Sequence, residues 1–212
     1  MLKNNLIIFL KYPEPGQVKT RLGKVIGYEK AADIYTILTK HLLSQFINSK
    51  NYKITIQYSP EQRAREILEW LKIKNIEPQK GKNLGDKLSH AFDTSFTKGY
   101  LNTVVIGTDC IELTNDNIEK AFRILSGRFE SVVGPTNDGG YYLIGFSKKN
   151  YPLLFKDIDW SSEKVFKQTI KKINNAKMKN RILNYYNDID EISDINSNVI
   201  KIIKSYKPNL RI

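Results

Sequence analysis

Leu6-Ile-Ile-Phe-Leu-Lys-Tyr-Pro-Glu-Pro-Gly-Gln-Val-Lys-Thr-Arg-Leu22 opens with five consecutive apolar residues and then turns abruptly polar. A short, uninterrupted apolar run bounded by Lys11 and a Pro/Gly segment reads as a strand buried on both faces, as in the interior of a parallel sheet. The segment that follows reads as a loop carrying Lys19, Thr20 and Arg21. Exposed backbone amides and two cations converge there, which suits a phosphorylated ligand.

Working outward, strands and helices alternate. Ala31, Ile34, Tyr35, Leu38, Leu42, Leu43 and Phe46 recur at helical spacing and predict an amphipathic helix over 28–47. Residues 53–58 alternate as a strand, and Pro60 suits the first turn of a helix over 61–72. A short strand at 75–79, a loop at 81–85 and a helix over 86–98 that stops at Gly99 come next. Thr103-Val-Val-Ile-Gly107 is the clearest buried strand. Thr114-Asn-Asp-Asn opens a helix through Leu125, closed by Gly127, and strands follow at 131–134 and 141–146 around the loop Pro135-Thr-Asn-Asp-Gly-Gly140. Ser161, Ser162 and Glu163 resemble a helix start, and a last helix lies within 195–212. This rhythm predicts an α/β fold with a doubly wound sheet. Without repeats, linkers or a shift of composition, the simplest division is one domain over 1–212.

Composition narrows the function classes. With 212 residues, 41% of them hydrophobic, the chain can bury a full core. The single cysteine, Cys110, excludes an intramolecular disulfide and suits a reducing compartment. The early apolar run is too short for a signal peptide core or a membrane span, so a cytoplasmic protein is expected. The net charge of +12 is spread among Asn and Ile rather than gathered into an arginine and aromatic groove, so no nucleic-acid partner is expected. A basic surface still favours small anionic substrates.

In open α/β sheets ligands bind at the carboxyl ends of the strands. The residues just beyond the apolar runs are Lys19, Thr20 and Arg21, then Thr108, Asp109 and Cys110, then Asn137, Asp138 and Gly139, and these three loops should share one rim. A carboxylate directly after a buried strand, Asp109, is placed to hold a divalent cation, and its hard oxygen suits magnesium or manganese. Bland alternatives stand beside these roles. Lys19 and Arg21 could solvate a surface loop. Asp109 could cap a helix, although Thr114 and Asn115 are better placed to do so. Asp138 could be a turn residue supporting Gly139 and Gly140. Trp160 could stack on a base or sugar or belong to the core. Cys110 reads as a small packed residue rather than a nucleophile, His41 and His90 lack ligand spacing, and at most one of Tyr141 and Tyr142 should face the crevice.

The strings PGQVKTRL, GDKLSHAF (85–92), VVIGTDC with Leu113-Thr114, GPTNDGGYYLIGF (134–146), Asp159-Trp160-Ser161 and DIDEISD (188–194) occur in this order over roughly residues 5–195. Together they resemble the DUF2064 group of bacterial proteins, described as a glycosyltransferase family among the A-type nucleotide-diphospho-sugar transferases. The resemblance implies a Rossmann-like three-layer α/β/α sandwich with a mixed, mostly parallel sheet, whose first half binds a nucleotide and whose second half shapes an acceptor site. It also implies kinship with molybdenum-cofactor and phospholactate guanylyltransferases. Carried over by residue, Lys19, Thr20, Arg21 and Thr108 are similar to nucleotide-contacting positions and Asp109 to the metal-binding aspartate. Asp190 is similar to a second metal ligand, with Asp188 as its neighbour. Gly139, Gly140, Tyr141 and Trp160 fall in the acceptor region, and Asp138 is the candidate for orienting or deprotonating the acceptor.

The chain departs from the family pattern at Glu191-Ile192, where Thr-Pro is usual, and at Ile111, where Pro is usual. It also lacks the glycine-rich nucleotidyltransferase loop and offers only Gly16 there, so fewer close backbone approaches to phosphate are available. The activity implied is metal-assisted glycosyl transfer from a nucleotide sugar to a small-molecule acceptor. The alternatives are nucleotidyl transfer from a nucleoside triphosphate to a phosphorylated metabolite, and a non-catalytic nucleotide-binding protein. Donor, acceptor, stereochemical outcome and oligomeric state, a homo-oligomer included, are left open by the sequence.

Overall fold

The structure, a computed structural model, describes residues 3–147 and 154–210. In chain order the elements are β1 (Asn4–Lys11), α1 (Thr20–Ile26), α2 (Tyr28–Ser44), β2 (Lys53–Ser59), α3 (Ala64–Leu71), β3 (Ile76–Pro78), α4 (Leu84–Thr97), β4 (Asn102–Ile106), α5 (Asn115–Ser126), β5 (Ser131–Pro135), β6 (Tyr141–Ser147), α6 (Val165–Asn175), β7 (Asn180–Ile182) and α7 (Ser197–Tyr206). The seven strands form one sheet in the order β3-β2-β1-β4-β6-β5-β7. It is parallel except at β6, which runs antiparallel to both neighbours. This is the mixed, mostly parallel sheet that the family resemblance implies.

Two-residue periodicity along the strands builds the layers. Leu6, Ile8 and Leu10 of β1 join Val104, Ile106 and Val132 on one face, packed against α2, α3 and α5 through Leu42, Ile67 and Phe122 and against Phe46 just beyond α2. Ile7, Val105, Val133 and Ile144 lie on the other face, under α4 and α6 through Phe92, Phe96 and Ile173. A third cluster joins α1, α2 and α7 through Leu22, Ile34, Leu38, Val199 and Ile203, and it includes Ile189. None of the helices among the described residues is long and apolar enough to cross a membrane.

Several expectations need correction. Thr20 and Arg21 are not in a loop but open α1, a seven-residue helix that ends at Gly27. Pro13, Pro15 and Gly16 disguise its start, and only two of its residues, Leu22 and Gly23, are buried, so it carries little periodic signal. Residues 61–63 form a 3-10 turn before α3. Asn83 caps α4 by accepting a hydrogen bond from the Asp86 N–H at 2.9 Å, which starts that helix two residues earlier than expected. The β7 strand went unread because three residues, Asn180, Arg181 and Ile182, none of them buried, leave no pattern. Thr114 caps α5 through a reciprocal bond pair with Asn117, as expected.

Candidate active site

A cleft of about 920 Å³ lies along the carboxyl ends of β1 and β4. Its wall includes Lys19, Thr20, Arg21, Thr108, Asp109, Asp138, Gly140, Tyr141 and Trp160, so nearly all of the candidates from the sequence meet on one rim.

Lys19 is the structural centre of this site. Two short turns, Glu14 N–H to Tyr12 O at 2.8 Å and Gln17 N–H to Glu14 O at 2.9 Å, fold the chain back after β1. Val18 then anchors the segment among Ala32, Tyr35 and Trp70. Lys19 itself adopts left-handed backbone angles, φ 45° and ψ 46°, an uncommon state for a residue with a Cβ that persists where its surroundings enforce it. Its side chain is only 2% exposed, and its ammonium pairs with Asp109 and, at 3.2 Å, with Asp190. Burial pulls the ammonium pKa down, but the attraction of Asp109 and Asp190 outweighs it and the net shift is upward. Lys19 therefore stays charged in a nearly dry position.

Asp109 leaves β4 through Gly107 and Thr108. The Ile189 N–H donates to the Asp109 carbonyl at 3.0 Å, tying the late acidic segment to the end of β4. Because Ile189 is buried in the α1–α2–α7 cluster, its neighbours Asp188 and Asp190 both reach the cleft. The Asp194 carboxylate accepts from the N–H groups of Asp190 (2.9 Å) and Glu191 (2.7 Å) and folds the turn beyond. The unusual Glu191 is used here, since it accepts from Arg21 at 3.3 Å. Arg21, with a side chain 70% exposed, sits at the rim rather than on the floor.

Thr108 is buried, and its hydroxyl donates to the Tyr35 hydroxyl at 3.2 Å, which also accepts from the Lys11 N–H at 2.9 Å. That knot joins the ends of β1 and β4 beneath the cleft. Asp138 is exposed and accepts from the Gly140 N–H at 3.1 Å and from the Thr136 hydroxyl, so it is both a turn residue and a cleft carboxylate. Gly139 has φ 92°, and a Cβ on it would lie 2.1 Å from the Glu163 carbonyl oxygen. Phe166 N–H donates to the Gly139 carbonyl at 2.8 Å, so the glycine pair locks this loop against the start of α6. Trp160 packs on Phe155 at 6.4 Å and also borders the cleft. Tyr141 and Tyr142 belong to opposite faces of the sheet, yet both reach the cleft wall, which crosses the sheet's upper edge. Cys110 is buried and its thiol is pushed up to about 12, chiefly by burial, so it is packed rather than nucleophilic.

Asp188, expected as the neighbour of Asp190, also lines the cleft. Burial first, then the negative charges of Asp109, Asp138 and Asp190, push its carboxyl up to about 7 against the pull of Lys19. The spacing Asp188-Ile189-Asp190 explains why the two share the cleft, since residues flanking a core isoleucine in extended chain share a side. Lys11, Gln79, Asn83 and Lys87 also line the cleft and were not singled out from the sequence. Among the described residues, no group of three or more His, Cys, Asp or Glu side chains is gathered as a preformed metal site.

A seven-stranded mixed sheet with a charged cleft at the β1 and β4 ends defines an α/β protein of the nucleotide-diphospho-sugar transferase fold. Residues 42–162 match the DUF2064 family, described as an uncharacterized protein conserved in bacteria, and the chain belongs to that family. A protein of Desulfovibrio desulfuricans G20, provisionally named a nucleotide-diphospho-sugar transferase, is 30% identical, with a TM-score of 0.87 over 97% of this chain and 99% of that one. More distant structures share the fold. The inositol-1-phosphate CTP transferase of T. maritima is 13% identical, with a TM-score of 0.55 over 100% of this chain and 98% of that one. The 4-diphosphocytidyl-2C-methyl-D-erythritol synthase of Anaerococcus prevotii DSM 20548 is 8% identical, with a TM-score of 0.58 over 97% of each chain. No curated protein matches the sequence.

Proposed function

We propose that the protein is a glycosyltransferase that binds a nucleotide-diphosphate sugar in the cleft and moves the sugar to a small-molecule acceptor, assisted by Mg²⁺ or Mn²⁺. The observation that carries this reading is the convergence of a buried, charged Lys19 with Asp109, Asp188 and Asp190 at the ends of β1 and β4. The name of the Desulfovibrio relative supports it.

The residues fit a divalent cation. Several carboxylates face one space, and burial, followed by the negative charges of Asp109, Asp138 and Asp190, raises the Asp188 carboxyl; an added cation would offset the repulsive part of that shift. Asp109 and Asp190 would hold it, with Asp188 beside them. A bound cation would neutralise charge growing on the departing nucleoside diphosphate.

Lys19, held in place before the donor arrives, stabilises the same charge without reorganising. Arg21 can exchange Glu191 for a phosphate at the rim. The acceptor hydroxyl oxygen forms its bond to the anomeric carbon as the bond from that carbon to the diphosphate oxygen breaks. The electron pair leaves with the diphosphate. Asp138 accepts the hydroxyl proton, using the carboxylate oxygen not engaged by Thr136 and Gly140.

Nucleotidyl transfer is the second reading. The observation that favours it is Lys19 itself, a rigid cation suited to charge at phosphorus as much as at a sugar carbon. Product analysis separates the two: nucleoside diphosphate released from a nucleotide sugar supports the first, and pyrophosphate released from a nucleoside triphosphate supports the second. Neither product across a broad donor and acceptor panel would leave a non-catalytic nucleotide-binding protein.

A further inference from the structure

The cleft has two electrostatically distinct halves. Four of its carboxylates, Asp109, Asp138, Asp188 and Asp190, lie toward β4 and β5, where Lys19 and Arg21 are already matched by acidic partners, and a fifth, Glu163, lines it just before α6. Its two other lysines lie toward β1 and the start of α4. Lys11 is the last residue of β1, and Lys87 sits in the first turns of α4. Among the described residues, neither forms an ion pair with a carboxylate.

We propose that Lys11 and Lys87 form a second anion subsite, apart from the Lys19 cluster, that takes a phosphate group of the substrate. This deepens the transferase reading above and rests on it.

Three observations carry the assignment. First, both side chains line the same cleft, and Lys87 is half-buried, unlike a lysine left to solvent. Burial, followed by the positive charge of Lys11, pulls the Lys87 ammonium downward, so the two cations are close enough to repel. Lys11 is exposed at the rim, and a bound anion would offset the repulsion between the two cations and compensate Lys87 for its partial burial. Second, the position of Lys11 is fixed from below. Gln79 Nε2 donates to the carbonyls of Leu10 (3.2 Å) and Gln57 (2.9 Å), and the Lys11 N–H donates to Tyr35. Third, Asn83 engages its Oδ1 with the Asp86 N–H, which leaves its amide N–H₂ as a further donor on the same wall.

The phosphate could belong to the donor nucleotide or to a phosphorylated acceptor, and the two sources share this chemistry. Calorimetry of the full chain in EDTA, with inorganic phosphate and pyrophosphate as probes, tests the site. The wild type should bind, Lys87→Met and Lys11→Met should each weaken binding at least tenfold, and Lys201→Met, an exposed change of equal charge on α7, should alter it less than twofold. Methionine keeps the aliphatic stem, and circular dichroism checks the fold. Repeating the titration with a saturating nucleoside diphosphate and Mn²⁺ identifies the source. Undiminished phosphate binding marks an acceptor group, and competition marks the donor's own phosphate. No phosphate binding by the wild type, or equal affinity in all variants, overturns the proposal. Because nucleotide binding to wild type and Asp109→Ala is measured separately, nucleotide binding without an effect of the lysines would sink this subsite alone. Lysine-dependent phosphate binding without nucleotide binding would sink the transferase reading alone.

Discussion

At the scale of single residues, the site depends on how charge is compensated. Lys19 was legible as a phosphate-side cation because it follows a buried strand, but its pairing with Asp109 and Asp190 was not, since those partners are 90 and 171 positions away in sequence. Asp188 carries a pH signature. Its folded pKa, about 7, lies above the ordinary value of 3.8, so the folded chain holds a proton that the unfolded chain has released between those values. Stability from this group is therefore present below about pH 4 and falls as pH rises to about 7. Asp188→Asn should raise the melting temperature of the metal-free protein by several degrees at pH 8, with the gain shrinking toward pH 4. A pH-independent difference in differential scanning fluorimetry would remove Asp188 from the electrostatic cluster.

At the scale of elements, the cleft is made by exits from strands. The strands β1 and β4 were legible because every residue of their cores is apolar, and Thr114 because its cap is local. The helix α1 was hidden by its prolines and scarce burial, and β7 by its shortness. The Asp138-Gly139-Gly140 turn was legible as a turn, but not as the clasp that holds the start of α6, because that contact joins Gly139 to Glu163 and Phe166 across the chain. Gly139→Ala should cost about 2 kcal/mol or more, since alanine resists φ 92° and its Cβ would meet the Glu163 carbonyl. Urea denaturation measures it, and a change under about 0.5 kcal/mol would show that the loop moves freely.

At the scale of the whole molecule, one seven-stranded sheet joins the first half of the chain to the second, with β4 paired to both β1 and β6. The alternation of strands and helices made this architecture legible. The reversal of β6 was not derivable from periodicity, because buried strands look alike in either direction. Phe92 lies at the centre of the layer under α4 and α6, fully buried against Phe146 at 5.0 Å and Phe155 at 5.8 Å. Phe92→Ala should cost about 3–5 kcal/mol and shift one cooperative transition. Loss of only part of the fluorescence or circular dichroism signal would show two independent units instead of one domain over 1–212.

The central claim is that the Lys19–Asp109–Asp190 cluster binds a nucleotide diphosphate together with a divalent cation. Isothermal titration of nucleoside diphosphates and nucleotide sugars, with Mn²⁺ and with EDTA, against wild type and a folded Asp109→Ala variant tests it most directly. The account predicts binding to wild type that depends on Mn²⁺ and weakens at least a hundredfold in Asp109→Ala. Equal affinity in the variant, or no binding of any nucleotide to the wild type, would contradict it.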